Sequence, residues 1–182
     1  MQRTLVVDAS IARAAGGTEN PSSKACRDFL NEILTVGHNL AFNENLIAEW
    51  RKHRSNFALQ WLGAMQRRGK IKVVRCSPDK VDKLSACVDQ TNLLTVKQKD
   101  AVRKDFLLLH CAWTSDELVS SLDEKMRRLL AVMVSEHAEI GGVVWVNPNK
   151  AEDRAQEWIK SGARTEEDRK LKNWPTDGHT AD

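Results

Sequence analysis

Short apolar runs alternate with longer amphipathic stretches along most of the chain. The runs cover residues 5–7, 39–42, 71–74, 118–122 and 143–146. A continuous apolar run bounded by polar residues is typical of a strand that is buried on both faces. The pattern therefore predicts five short, buried strands with helices between them.

The amphipathic stretches carry helix start and stop signals. Asn20-Pro21 begins the first, its apolar residues recur at helical spacing, and Gly37 ends it. Asn43 or Asn45 can cap the next helix, which contains Glu49 and Trp50. Further helices are predicted near residues 57–67, 78–88, 97–113, 126–137 and 151–160.

This alternation predicts an α/β fold in which helices cover both faces of a five-stranded, mostly parallel sheet. In such sheets, ligands bind beyond the carboxyl ends of the strands, where the strand order reverses. With 182 residues, the chain is long enough for one domain with a full core. We expect that domain to span 1–160, followed by a polar, partly ordered tail over 161–182 that Trp174 could dock onto it.

The composition limits which binding sites and which cellular location are expected. The four cysteines are far apart and form no CxxC pair, so a zinc site or a disulfide framework is not expected, and reduced, mostly buried thiols are. The first apolar run is too short for a signal peptide, and no segment approaches membrane-spanning length, which predicts a cytoplasmic protein with no membrane partner. The net charge of +3 permits nucleic-acid binding without requiring it.

Four acidic residues stand at strand ends or on neighbouring helices. Asp8 closes the first run, Asp123 follows the fourth, and Glu49 and Asp105 lie on predicted helices. Carboxylates gathered in this way repel each other and lose hydration, so they need a cation or a proton between them. The hydroxyls of Ser10 and Ser121, each two residues from an acid, add the oxygen character that suits Mg²⁺ or Mn²⁺.

Each acid taken singly has a plainer interpretation. Asp8 could cap a turn, Glu49 could be a solvated helix residue, and Asp123 could be a helix N-cap. Asp105 is harder to explain in this way, because apolar residues such as Leu108 and Leu109 share its helix face. A carboxylate on that face needs a partner, which could be Arg103 or a lysine as well as a metal ion.

At these residues the chain resembles the PIN-domain family of metal-dependent ribonucleases. The matching segments are 5–10, 46–50, 105–112 and 119–123, in that order along the chain. The resemblance implies the strand order 3-2-1-4-5, with Asp8 and Asp123 flanking the point where the order reverses. It also implies that Asp8, Asp105 and Asp123 bind one or two divalent ions, and that Glu49 assists directly or through water.

The resemblance further implies an endoribonuclease that leaves a 5′-phosphate and a 3′-hydroxyl. Related proteins include toxins of toxin–antitoxin or defence systems, which implies a homodimer and an antitoxin or other partner protein. Basic residues beside the acids suggest phosphate contacts at Arg51, Arg103 and Lys125, and Trp50 is a candidate for stacking on a base.

Two rival functions stay open at this point. One is a catalytically inactive PIN-like module that binds RNA or serves as a scaffold, and the other is a structure-specific DNA nuclease of the same broad fold. A phosphotransfer receiver or a haloacid-dehalogenase-like phosphatase is disfavoured, because Asp8-Ala9-Ser10 supplies neither paired acids nor an Asp-x-Asp.

Overall fold

Five parallel strands form the centre of the computed structural model, which describes residues 2–75 and 77–175. The strands are β1 (Thr4–Val7), β2 (Asn39–Phe42), β3 (Ile71–Val73), β4 (Leu118–Ser120) and β5 (Val144–Val146). Their order is β3-β2-β1-β4-β5, and every pairing is parallel. The predicted α/β class, the parallel sheet and the strand order are thus confirmed. The order reverses between β1 and β4, which is the position where parallel sheets of this kind generally bind ligands.

Helices surround the sheet. They are α1 (Ala9–Ala14), α2 (Pro21–Val36), α3 (Glu44–His53), α4 (Asn56–Arg67), α5 (Pro78–Gln90), α6 (Val96–Lys104), α7 (Phe106–Trp113), α8 (Glu124–Met133) and α9 (Ala155–Lys160). The predicted signals act as expected at α2, where Asn20 accepts a hydrogen bond from the Ser22 amide and Gly37 takes a left-handed φ of 82°. Asn43, rather than Asn45, caps α3.

Two helical predictions need correction, and one helix was not predicted. The single helix predicted over 97–113 is two helices, because the chain turns at Asp105, with φ −97° and ψ 7°. The short helix α1, directly after Asp8, was not predicted. The last predicted helix begins as a 3-10 turn at Ala151–Asp153 and becomes α-helical only at Ala155.

Trp50 anchors α3 to the sheet. Its ring is fully buried, stacks on Trp61 at 6.0 Å between ring centroids, and its Nε1 donates a 2.8 Å hydrogen bond to the carbonyl oxygen of Val7. A base cannot reach this ring, so the expectation of stacking at Trp50 is wrong. The residue instead fixes the helix that carries Glu49 against the strand that ends at Asp8.

Part of the predicted tail packs on the domain. The amide of Leu171 donates a 2.9 Å hydrogen bond to the carbonyl of Val143, and Lys170 forms an isolated bridge with Val144 beside β5. The Trp174 ring lies 3.4 Å from the guanidinium carbon of Arg127. The expectation that Trp174 docks on the domain is therefore met, and residues 176–182 of the predicted tail lie outside the described residues.

The cysteines among the described residues are buried or partly buried. Cys26 and Cys111 are buried and Cys87 is partly buried, whereas Cys76 is not among the described residues. Burial raises the pKa of the Cys26 thiol to about 11. Across the described part of the chain, no helix combines the length and the apolar character that a membrane crossing requires.

Candidate functional site

The reversal of strand order brings Asp8 and Ser121 side by side. Val7 of β1 is paired with Ser120 of β4, and the Asp8 amide donates a 2.9 Å hydrogen bond to the Ser120 carbonyl. Asp8 and Ser121 are the next residues on the two adjacent strands. Two residues separated by more than a hundred positions therefore meet where such sheets bind ligands.

Two hydroxyls hold the Asp8 carboxylate. Ser121 Oγ donates to Asp8 Oδ2 at 2.7 Å, and Ser10 Oγ donates to the same oxygen. Each hydroxyl also accepts from the loop after β4: Ser10 from the Leu122 amide at 3.2 Å and Ser121 from the Asp123 amide at 3.1 Å. The two serines thus orient Asp8 and connect it to the loop that carries Asp123. Oδ1 is the oxygen that these hydroxyls leave for a ligand.

Asp105 occupies the turn between α6 and α7. Although it precedes α7, its carboxylate makes no capping hydrogen bond. Burial raises the pKa of Asp105 to about 7, and the negative charges of Asp8, Asp123 and Glu49 add to the effect, while Lys104 opposes it. The three other predicted acids therefore lie close enough to act on Asp105 through their charges.

Asp123 and Glu49 belong to this acidic group but have local partners as well. Asp123 Oδ1 accepts a 2.8 Å hydrogen bond from the Met126 amide, so the N-cap interpretation of this residue is correct. Glu49 has a side chain that is 45% exposed and lies 3.3 Å from His53 one turn later. Asp123 is exposed and Glu49 is partly exposed.

The acidic group suits a divalent cation in the type of its donors but is not a ready-made binding site. Within the described ranges 2–75 and 77–175, no three His, Cys, Asp or Glu side chains are arranged to hold a metal ion. Carboxylate and hydroxyl oxygens are nevertheless the donors that Mg²⁺ and Mn²⁺ prefer. These carboxylates repel one another when no cation lies between them. To bind a cation together, they would have to move closer to each other.

The predicted phosphate contacts differ in availability. Lys125 is exposed one residue after Glu124 on α8. Arg103 forms salt bridges with Asp89 and, at 2.7 Å, with Asp100, so two carboxylates already balance most of its charge. Arg51 is exposed but lines a separate cleft of about 520 Å³ with Trp50 and Arg54. Lys104, which was not singled out, is exposed directly beside Asp105.

A second cleft, of about 420 Å³, adjoins the acids and was not predicted from the sequence. Its lining residues are Asn45, Ala48, Glu49, Arg103, Lys104, Phe106, Leu107 and His110. Helical spacing carries a signal for it: Asn45, Ala48 and Glu49 are three and four residues apart on α3, and Phe106 and His110 are four apart on α7. That spacing could have identified the two walls, but not that they face each other.

Comparison with known proteins gives no match: no family model, no curated protein and no solved structure is significantly similar to this chain. The resemblance to the PIN-domain family therefore rests on the order and geometry of the acids and on the strand order.

Proposed function

We propose that this protein is a divalent-metal-dependent endoribonuclease of the PIN-domain type. One observation carries the proposal: the charges of Asp8, Asp123 and Glu49 converge on Asp105 at the carboxyl edge of a parallel sheet. Like-charged carboxylates that share such a region cost stability, and a cation or proton that completes the group offsets this cost.

The roles of the acids follow from their surroundings. Asp8 is the pre-oriented ligand, because Ser10 and Ser121 hold one of its oxygens. Asp105 and Asp123 complete the ligand set, and Glu49, whose side chain is 45% exposed, assists directly or through water. When bound, Mg²⁺ or Mn²⁺ supplies Lewis-acid activation of a water and neutralises charge on the phosphodiester. Burial and the neighbouring negative charges raise the pKa of Asp105 to about 7, so a bound cation would stabilise its charged form.

Single-stranded or structured RNA is the proposed substrate. Lys104 and Lys125 are exposed next to proposed ligands, where the phosphates of a bound strand need countercharge. Arg51 can contact a strand farther from the acids, whereas Arg103 would first have to leave Asp89 and Asp100.

Replacing Asp8 tests the proposal directly. We expect Asp8→Asn to reduce RNA cleavage by at least about a hundredfold, because the amide keeps the shape but loses the charge that binds a cation. The measurement is Mg²⁺- or Mn²⁺-dependent cleavage of single-stranded RNA, with excess EDTA as the metal-free condition. Asp82→Asn, the same change at an exposed position of α5, is the matched control and should cleave normally. Equal cleavage by the wild type and Asp8→Asn would refute the assignment.

The rival function is an inactive PIN-like module that binds RNA or acts as a scaffold. The lack of a ready metal-binding group within the described residues favours it. Binding of RNA without cleavage in either Mg²⁺ or Mn²⁺ would support this rival. The same assay with DNA flaps decides whether the substrate is RNA or a structured DNA.

A toxin would also need a partner protein that silences it, and we propose this setting from the family resemblance. The cleft lined by Arg51 has an apolar wall that includes Leu59, which is 47% exposed, and two arginines at its rim. Co-expression with the product of the neighbouring reading frame, followed by measurement of complex mass, tests both the partner and the homodimer.

A further inference from the structure

The cleft between α3 and α7 opens directly beside the acidic group. Glu49 forms part of one wall, and Asp105 lies between two lining residues, Lys104 and Phe106. Its volume of about 420 Å³ is within the range of pockets that bind small organic groups, about 300–1,000 Å³. Whatever occupies this cleft is therefore next to the proposed site of cleavage.

The two walls of the cleft are fastened to each other. Asn43 caps α3 by accepting a 2.8 Å hydrogen bond from the Leu46 amide, and its Nδ2 donates to the Leu107 carbonyl of α7 at 3.3 Å. One side chain thus joins the start of α3 to the first turn of α7. A cleft held in this way is formed before a ligand arrives, which reduces the entropic cost of binding.

The lining combines ring faces with hydrogen-bonding groups. The rings of Phe106 and His110 lie 5.9 Å apart, and the Nε2 atom of His110 is buried without a hydrogen-bond partner among the described residues. Burial lowers the pKa of His110, so its imidazole is neutral at neutral pH. Asn45, exposed at the rim, offers one donor group and one acceptor. A flat heteroaromatic ligand with polar edges matches these groups.

We propose that this cleft binds one nucleobase of the RNA strand, next to the phosphate that is cleaved. The base packs against Phe106 and His110, a polar edge meets the Asn45 amide, and Lys104 at the mouth faces the adjoining phosphate. This inference rests on the proposed function and deepens it, since it makes the cleft a determinant of which nucleotide is positioned for cleavage.

The test measures binding separately from cleavage. Fluorescent RNA pentamers of A, C, G and U are titrated in EDTA, so that no cleavage occurs. Ala48→Phe fills the cleft from an exposed position on α3, and Asn45→Ala removes the amide. Asn31→Phe and Asn31→Ala, at an exposed position of α2, are the matched controls. Loss of one base contact corresponds to about tenfold weaker binding, which we expect for Ala48→Phe but for neither control.

An abasic pentamer identifies the group that is bound. It keeps the phosphates but lacks the bases, so we expect the wild type to bind it about tenfold more weakly than the best pentamer, with no further loss in Ala48→Phe. Equal binding of the RNA pentamers by Ala48→Phe and the wild type overturns the proposal. So does tighter binding of a free nucleoside monophosphate than of any pentamer, because the cleft would then be a site for a free nucleotide.

Failure of this inference is distinguishable from failure of the nuclease assignment. Unchanged pentamer binding by Ala48→Phe, together with loss of cleavage in Asp8→Asn, rejects the base site and keeps the nuclease. Base-dependent binding that Ala48→Phe abolishes, in a protein that cleaves nothing, keeps the base site and rejects the nuclease.

Discussion

Asp8 and Asp105 differ in what surrounds each carboxylate. Asp8 has two hydroxyl donors on one oxygen, whereas the Asp105 carboxylate makes no capping bond and faces three like charges. A charged carboxylate is stabilised by hydrogen-bond donors and destabilised by burial and like charges. Asp8 is therefore held in place by its neighbours, and Asp105 is the member whose charged form its surroundings destabilise most.

This difference gives a pH dependence of stability. The pKa of Asp105 is raised from 3.8 to about 7 in the folded protein, so between these values the folded state binds more protons than the unfolded state. The contribution of Asp105 is fully present below pH 4 and is lost as the pH rises to 7. Because Asp105 is only partly buried, we expect a loss of about 1–2 kcal/mol, below the full value of the shift.

Urea unfolding at pH 5 and pH 8 without divalent ions measures this effect. Asp105→Asn should remove most of the difference in the free energy of unfolding between the two pH values, whereas Asp82→Asn should leave it unchanged. If the stability of Asp105→Asn depended on pH as that of the wild type does, the surroundings of Asp105 would not destabilise its charged form.

At the scale of elements, the break between α6 and α7 gives Asp105 its position. Thr95 and Gln98 form a capping box that begins α6, and the turn at Asp105 starts a new, largely buried helix. A straight helix over 97–113 would carry Phe106 and His110 in a different direction. The break therefore aims α7 at α3 and creates the cleft between them.

The anchoring of α3 to β1 can be tested with two tryptophans. Both donate an indole hydrogen bond to a backbone carbonyl: Trp50 to Val7 at 2.8 Å, and Trp61 to Leu30 at 2.6 Å. Trp50→Phe and Trp61→Phe should each lower the free energy of unfolding by about 2–3 kcal/mol, since a buried carbonyl loses its donor and a cavity remains. Only Trp50→Phe should also reduce RNA cleavage, because Val7 precedes Asp8.

Stability is compared by urea unfolding, and cleavage is compared at a temperature where both variants are folded. If the two variants lost cleavage equally, the decrease would reflect general destabilisation, and the link from α3 to Asp8 would be rejected.

At the scale of the whole molecule, the C-terminal segment completes the domain through Arg127. This arginine is 1% exposed, lies 2.9 Å from Asp153, and is covered by the Trp174 ring. Asp153 also accepts a 2.6 Å hydrogen bond from the Asn147 amide after β5. One buried charge network thus joins α8, the end of β5 and the chain after α9.

Removing one charged partner of Arg127 should lower the stability of the folded protein. Asp153→Ala leaves the buried guanidinium without its main countercharge, and such losses cost about 3–5 kcal/mol. Thermal unfolding should therefore show a large decrease in the melting temperature for Asp153→Ala. Asp168→Ala, which removes an exposed acid from the same C-terminal region, should change it little. A small effect of Asp153→Ala would mean that the buried pair of Arg127 and Asp153 contributes little to the stability of the fold.

The sequence by itself determined the class of fold and indicated four acids that the fold brings near one another. The apolar runs that form strands, and the helix signals at Asn20 and Gly37, depend only on neighbouring residues. An acid that directly follows a buried strand must lie at the carboxyl end of the sheet. The tertiary structure alone decided the break at Asp105, the burial of Trp50, the cleft beside Glu49 and the packing of residues up to 175. Each of these depends on contacts between distant segments, and the local pattern of the chain does not specify which faces meet.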